Sequence, residues 1–159
     1  MKKITFISLF FIYTSFNIPL EPVALTGKII NTDGKIKIKG ELFEKEIKLQ
    51  EDGTFSENIT ISYSGLYTIS TEKNKICVYL CPGTELSINA DDKFFNETLQ
   101  FTGKASIENQ YLIEKSKICS AISNESIYSL DEISFLSKIK EIKYSLLNLN
   151  LILKLFSNP

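Results

Sequence analysis

Three cysteines carry the most reactive side chains of this chain: Cys77, Cys81 and Cys119. An odd count leaves at least one thiol free in a monomer. Cys77 and Cys81 lie four residues apart in a stretch that predicts a strand, so their Cα atoms would be ~13 Å apart, whereas a disulfide needs less than about 7 Å. We expect this pair not to bridge, and we take Cys81 and Cys119 as candidate thiols. Buried cysteines that pack as small apolar side chains, or a bridge from Cys119 to one of the others, are the alternatives.

The sequence has few residues or motifs suited to other kinds of chemistry. The chain has no histidine, no Cys-x-x-Cys pair and no glycine-rich phosphate loop. Asp91, Asp92 and Glu97 form a carboxylate cluster of the kind that binds Ca²⁺, although solvated loop charge is the more ordinary interpretation. We therefore expect no catalytic residue, no metal ligand and no cofactor.

Charge also limits the partners. The net charge of −1 gives no overall field that would attract nucleic acid or an anionic membrane. All eighteen basic residues are lysine, so arginine, the usual residue for bidentate recognition of phosphate, is absent. Nucleic acid is therefore not an expected partner.

The first seventeen residues have the proportions of a secretory signal peptide. Lys2 and Lys3 precede a largely apolar run from Ile4 to Phe16, which is short for a membrane-spanning helix of about 20 residues. An uncleaved anchor, which would be the only membrane contact, and a buried N-terminal element are the alternatives. Residues 18–22, with two prolines, read as a linker. We expect export to the periplasm or cell envelope of a Gram-negative bacterium.

Residues 23–103 predict about eight short strands separated by turns. Asp33-Gly34, Asp52-Gly53 and Pro82-Gly83 mark three of those turns. This spacing favours an antiparallel β-sandwich. The alternating lysines of residues 35–39 suggest an exposed edge strand or, less simply, an anion-binding face. The apolar run 76–81 suggests a central strand covered on both faces.

Residues 104–156 change to a helical period and predict two helices. Ser106 is the expected cap of the first. For the second, Ser129 and Glu132 form a capping box, and Tyr128 and Ile133 a hydrophobic staple. One face of the second helix carries a heptad-like apolar series: Phe135, Ile139, Ile142, Leu146 and Leu149. This face packs either on the first helix or on a partner, as a homodimer or with a thioredoxin-like protein.

An ordered set of short motifs resembles a known family. The set is Gly34 with Ile36 and Ile38, Asp52-Gly-Thr-Phe55, Gly65-Leu-Tyr67, Val78-Tyr-Leu-Cys-Pro-Gly83, Leu86-Ser-Ile88, Phe101-Thr-Gly103 and Glu108-Asn-Gln-Tyr-Leu112. It resembles the N-terminal β-domain and helical connector of Bacteroidetes-type TlpA-like thiol–disulfide oxidoreductases, in the alkyl hydroperoxide reductase/thiol-specific antioxidant (AhpC/TSA) group of the thioredoxin superfamily. The resemblance implies a sandwich, a connector and then a thioredoxin domain with Cys-x-x-Cys.

This chain departs from that pattern at the last step. Cys77-Val-Tyr-Leu-Cys81 has three intervening residues and lies in a predicted strand, whereas the catalytic pair needs a helix N-terminus to lower a thiol pKa. No catalytic residue of the family can therefore be carried over. We expect a non-catalytic, exported binding or dimerisation domain, truncated before its thioredoxin domain. A stand-alone envelope module for glycans or surface proteins, and a thiol redox sensor, are the alternatives.

Overall fold

The computed structural model describes residues 21–120, 122 and 125–157, and shows a mainly β fold with C-terminal helices. The strands are β1 Val23–Ile30, β2 Lys35–Lys39, β3 Glu44–Lys48, β4 Thr54–Ile59, β5 Gly65–Ser70, β6 Lys75–Leu80, β7 Glu85–Asp91 and β8 Gln100–Thr102. The helices are a 3₁₀ turn Asp92–Phe94, α1 Phe95–Thr98, α2 Ser106–Ser120, α3 Glu125–Tyr128 and α4 Glu132–Ser157.

Eight strands form two four-stranded sheets, which confirms the predicted sandwich. The strand orders are β4-β1-β7-β8 and β3-β2-β5-β6. Alternate apolar residues of both sheets are buried in one cluster, with Tyr67, Leu25, Ile38, Leu80 and Ile88 among the most buried. All pairings are antiparallel except that of β1 with β7, which is parallel. This parallel pair could not be predicted from local sequence patterns, because its partners, such as Ala24 and Glu85, are about sixty residues apart.

The parallel pairing depends on Gly27 in the middle of β1. Its φ is 150°, and a Cβ built there would lie 1.9 Å from the carbonyl oxygen of Ile88 on β7. Only glycine lets the two backbones approach so closely. Gly27 therefore allows β1 to pair with β7.

The alternating lysines lie on a central strand, not on the predicted edge. β2 is flanked by β3 and β5. Its lysines face glutamates of β3: Lys35 pairs with Glu46 at 3.4 Å, and Lys37 pairs with Glu44 at 3.2 Å. The stripe is thus half of a cross-strand ladder of opposite charges. Because its charge is compensated, the structure gives no support to an anion-binding face.

The strand predicted to be central, β6, is instead an edge strand of the second sheet. Its apolar character on both faces has a different cause. One face, with Val78 and Leu80, points into the core. The edge itself lies against α2, which packs on both β6 and β8. On the opposite side of the sandwich, β3 and β4 come together, and Lys45 pairs there with Glu57. Helix α2 therefore closes the side of the sandwich that the strands leave open.

Helix α4 forms an outer layer over α2. The two helices pack along their lengths, and the Tyr111 hydroxyl donates a 2.6 Å hydrogen bond to Asn150 Oδ1. Of the predicted seam, Ile142 is buried and the other four residues are half-buried. Packing within the chain was one of the two expected fates of this face.

The predicted start of α4 is wrong by two residues. Asp131, not Ser129, caps the helix, because Asp131 Oδ1 accepts from the backbone N–H groups of Ile133 and Ser134, each at 3.1 Å. The staple is also wrong: the side chain of Ile133 is exposed, and Tyr128 packs against the ring of Phe135 with centroids 6.3 Å apart. Helix α4 therefore begins two residues later than the predicted capping box would place it.

Candidate functional site

The structure does not bring the three cysteines together. Cys77 and Cys81 lie on β6 and just after it, and Cys119 lies in the last turn of α2. No disulfide joins the three cysteines in the described part of the chain, in agreement with the expectation for Cys77 and Cys81, and the alternative bridge from Cys119 is not formed.

The thiol of Cys77 does not lie in the activating environment that a redox centre needs. Cys77 is exposed, yet desolvation by its neighbours raises the pKa of its thiol, which disfavours the reactive thiolate. The sulfur of Cys81 accepts a 3.0 Å hydrogen bond from the Ser64 hydroxyl. Cys81 and Cys119 are half-buried.

Of the three carboxylates predicted as a loop cluster, Glu97 is exposed on α1, and Asp91 and Asp92 have separate roles. Asp91 Oδ1 accepts from Asn31 Nδ2 and from the backbone N–H of Lys93, which caps the 3₁₀ turn. Asp92 was expected to be solvated, but its side chain is buried, with only 3% of the residue exposed. Within the described ranges, no three His, Cys, Asp or Glu side chains are grouped in a way that could hold a metal ion.

Asp92 links the two sheets at one end of the sandwich. Its Oδ1 accepts from Thr71 Oγ1 at 2.6 Å and Asn74 Nδ2 at 2.9 Å, both in the turn between β5 and β6. Among the residues described, its buried Oδ2 has no hydrogen-bond partner. The residue is therefore a structural clamp between the end of β7 and the second sheet.

The most elaborate polar contact lies in the motif Glu108-Asn-Gln-Tyr-Leu112. Asn109 is fully buried. Its Oδ1 accepts from the Tyr79 N–H at 2.8 Å, and its Nδ2 donates to the Tyr79 carbonyl at 2.9 Å and to the Ala105 carbonyl at 2.7 Å. The side-chain amide thus pairs with the edge of β6 as a neighbouring strand would. The sequence indicated the motif but not this contact, because the two partners are thirty residues apart.

Helix α4 presents a second apolar face to solvent. We call it the outer stripe, and it comprises Ile133, Leu136, Tyr144, Leu147, Leu151 and Leu155, each more than half exposed. At 3.6 residues per turn these positions lie on the side of α4 opposite to the seam that packs on α2. The heptad-like series predicted from the sequence does not include these six residues. The periodicity alone could have separated the two faces.

A groove lies between the edge of β6 and helix α2. Its volume is about 360 Å³, and its walls include Cys77, Leu99, Leu112, Ser116 and the two lysines Lys75 and Lys117. Its walls are more apolar than polar, and two cationic side chains lie among them. This size falls within the range of pockets that bind small ligands or a few residues of a peptide.

Comparison with protein-family models, curated proteins and solved structures finds no match to this chain. The resemblance to the TlpA-like oxidoreductases therefore stays a prediction. In the described ranges no helix has the length and apolarity needed to cross a membrane, and the predicted signal peptide, residues 1–17, lies outside those ranges.

Proposed function

We propose that this chain is a non-catalytic binding and assembly domain whose copies associate through the outer stripe of α4. The observation that carries the proposal is the stripe itself. A helix that is apolar on opposite sides is normally covered on both, and α2 covers only one. An exposed apolar stripe of this kind is typical of an interaction site, although the exposed Lys140 lies within it.

The charges at the two ends of α4 favour a second copy in antiparallel orientation. Asp131 and Glu132 lie at the start of the helix, and Lys154 lies near its end. Antiparallel packing of two copies brings each acidic end to the basic end of the other, and it also opposes the two helix dipoles. Tyr144 lies at the middle of the stripe, where the twofold axis would pass.

The size of the stripe predicts a weak dimer. The 26 residues of α4 span about 39 Å, and a contact about 10 Å wide along that length buries about 400 Å² on each copy. The total of about 800 Å² is below the ~1,200 Å² typical of stable complexes. We therefore expect a dissociation constant in the micromolar range.

Sedimentation equilibrium of residues 21–159 tests the dimer. Wild type is expected to self-associate, and Leu147→Glu to remain monomeric because it places a charge in the stripe. Leu66→Glu is the matched control: Leu66 is 56% exposed on β5, and Leu147 is 52% exposed. A wild-type monomer at 200 μM, or a dimer that Leu147→Glu leaves intact, contradicts the proposal.

The resemblance to TlpA-like proteins supports the wider part of the proposal. An exported β-domain with a helical connector would serve such an oxidoreductase by binding and assembly and not by thiol chemistry, and the absence of a disulfide among the three cysteines in the described residues agrees with this role. A thioredoxin-like partner on the outer stripe is the alternative occupant. In an insulin-reduction assay with dithiothreitol we expect no acceleration by the pure protein, and clear turnover would contradict a non-catalytic role.

Export is proposed from the first seventeen residues. Alkaline phosphatase is active only after export, so a fusion of residues 1–22 to it is expected to be active in a Gram-negative host. Replacement of Phe10 and Phe11 by aspartate, which interrupts the apolar run, is expected to abolish that activity. Inactive wild-type fusion would contradict export.

A further inference from the structure

The open edge of β6 beside α2 has the features of a peptide-binding groove. The pairing of Tyr79 with Asn109 fixes the direction of the backbone groups. Since both the N–H and the C=O of Tyr79 bond to Asn109, they point away from β5. In an antiparallel pair this direction alternates with every residue, so the N–H and C=O of Cys77 also point away from β5, into the groove.

Cys77 therefore offers one donor and one acceptor to an incoming strand. In the part of the chain that the structure describes, neither group has a hydrogen-bond partner. Asn109 occupies the edge at Tyr79 and closes the groove at that end. The turn at residues 71–74 follows at the other. The free edge from Lys75 to Cys77 is about 7 Å long, which matches about three residues of an extended segment.

The residues that line the groove indicate which side chains the bound segment would carry. Leu99, Leu112 and Ile113 give the groove an apolar side. Lys75 and Lys117 lie among its lining residues at the end away from Asn109. Lys117 forms a surface ion pair with Glu114 at 3.0 Å. Among the described residues, no carboxylate lies within ion-pair distance of Lys75. A cationic rim next to an apolar wall suits an aliphatic side chain followed closely by a carboxylate.

We propose that this groove binds an extended peptide segment of a partner protein by strand addition to β6. The segment carries an aliphatic residue against Leu112 and an aspartate or glutamate near Lys75. Backbone hydrogen bonds to Cys77 supply sequence-independent affinity, and the apolar wall and the lysines supply selectivity. The inference adds a second kind of partner to the proposed binding domain, and it uses a surface that the outer stripe of α4 does not share.

A phage-displayed library of random heptapeptides, panned against residues 21–159, provides the probe. Enriched sequences are expected to hold an aliphatic residue within two positions of an acidic one. They are then synthesised with acetylated and amidated ends, so that terminal charge plays no part. Affinity is expected to fall at least tenfold for Ser116→Phe, which fills the groove from an exposed position, and for Lys75→Glu. Gln110→Phe, on an exposed position of the same helix, is the matched control and should bind like wild type.

Amide hydrogen exchange measured by NMR separates strand addition from a merely apolar contact. In the free protein the Cys77 amide is expected to exchange fast, and the Tyr79 amide slowly because Asn109 protects it. A bound peptide should slow exchange at Cys77 at least tenfold and leave Tyr79 nearly unchanged. No enrichment, binding unaffected by Ser116→Phe, or an unprotected Cys77 amide in the complex would each overturn the proposal.

The two proposals fail separately. Leu147→Glu, which should abolish dimerisation, is expected to bind the same peptides with wild-type affinity. Loss of peptide binding in that variant would mean that the groove is not an independent site and would overturn this inference.

Discussion

Single residues hold this fold at places where two backbones meet. Gly27 allows β1 to pair with β7, Asn109 pairs with the edge of β6, and Asp92 joins β7 to the turn between β5 and β6. Each contact joins segments that are far apart in the chain. The non-local order of the sandwich therefore depends on a few residues that are small or polar and not on the apolar core alone.

Gly27→Ala is expected to destabilise the protein by about 3 kcal/mol or more, because the new methyl group would collide with the Ile88 carbonyl and φ would remain positive. Gly34→Ala is the matched control. Its φ is 79°, but a Cβ there has nothing within 4 Å, so only backbone strain of about 1 kcal/mol applies. Urea unfolding measures both, and equal costs would contradict the role assigned to the β1–β7 contact.

Asn109→Ala removes all three hydrogen bonds of the buried amide and leaves the Tyr79 backbone groups unpaired. The expected cost is about 2–3 kcal/mol of unfolding free energy. Asn109→Asp keeps an acceptor for the Tyr79 N–H but loses both donors, so it should not restore stability. Gln110→Ala, one residue away and exposed, should change stability by less than about 0.5 kcal/mol. If Asn109→Ala lowered the free energy of unfolding as little as Gln110→Ala, the role of the Asn109 amide in holding α2 against β6 would be contradicted.

At the scale of elements, the helices differ in how they are held. Helix α2 contributes Ala105 at its entry and Ile113 to the main core, and it packs on two strands and on α4. Helix α4 packs on α2 and α3 and starts at an exposed cap. Because its outer side faces solvent, α4 depends more than α2 on its cap and on any partner.

The cap makes the start of α4 sensitive to acid. Hydrogen bonding from Ser134, through its side chain and its backbone, is the main cause that lowers the pKa of Asp131 below the ordinary value, with Ile133 adding to it. A carboxylate with a lowered folded pKa stabilises the fold above its unfolded pKa of about 4, and that stabilisation is lost as pH falls through the folded pKa.

Helical circular dichroism of the wild type is therefore expected to decrease below about pH 4, and Asp131→Asn should show less of this decrease. Asparagine still caps a helix but does not titrate. Asp131→Ala should be less helical at every pH. An acid transition in Asp131→Asn that equals the wild-type transition would show that other groups cause it, such as Asp52 and Asp91, whose pKa values are also lowered.

Across the whole molecule, local patterns in the sequence predicted the elements but not their neighbours. Alternation and turn residues predicted about eight strands in residues 23–103, where the structure has eight, and Pro82-Gly83 forms the expected turn, with Gly83 at φ 75° and Thr84 bonded back to Cys81. The lysines of β2 and the apolar run of β6 were assigned to the wrong places in the sheet, because edge and centre depend on which strands pair. The groove could not be predicted for the same reason, since it needs β6, α2 and the segment before β8 together.

The layered arrangement predicts that the molecule does not unfold as one unit. The sandwich core includes residues of both sheets and of α2, whereas α4 is attached from one side and is the element proposed to dimerise. Segments with few buried contacts open at lower free energy than the core, and a partner that covers such a segment stabilises it by mass action.

Native-state hydrogen exchange should therefore show α4 amides exchanging at least tenfold faster than those of β1 in dilute protein. Raising the concentration from 5 to 500 μM should slow exchange in α4 and leave β1 unchanged, whereas in Leu147→Glu neither should change. Equal slowing of exchange in α4 and β1 would mean that the two elements open together. If exchange in α4 did not slow, dimerisation through the outer stripe would be contradicted.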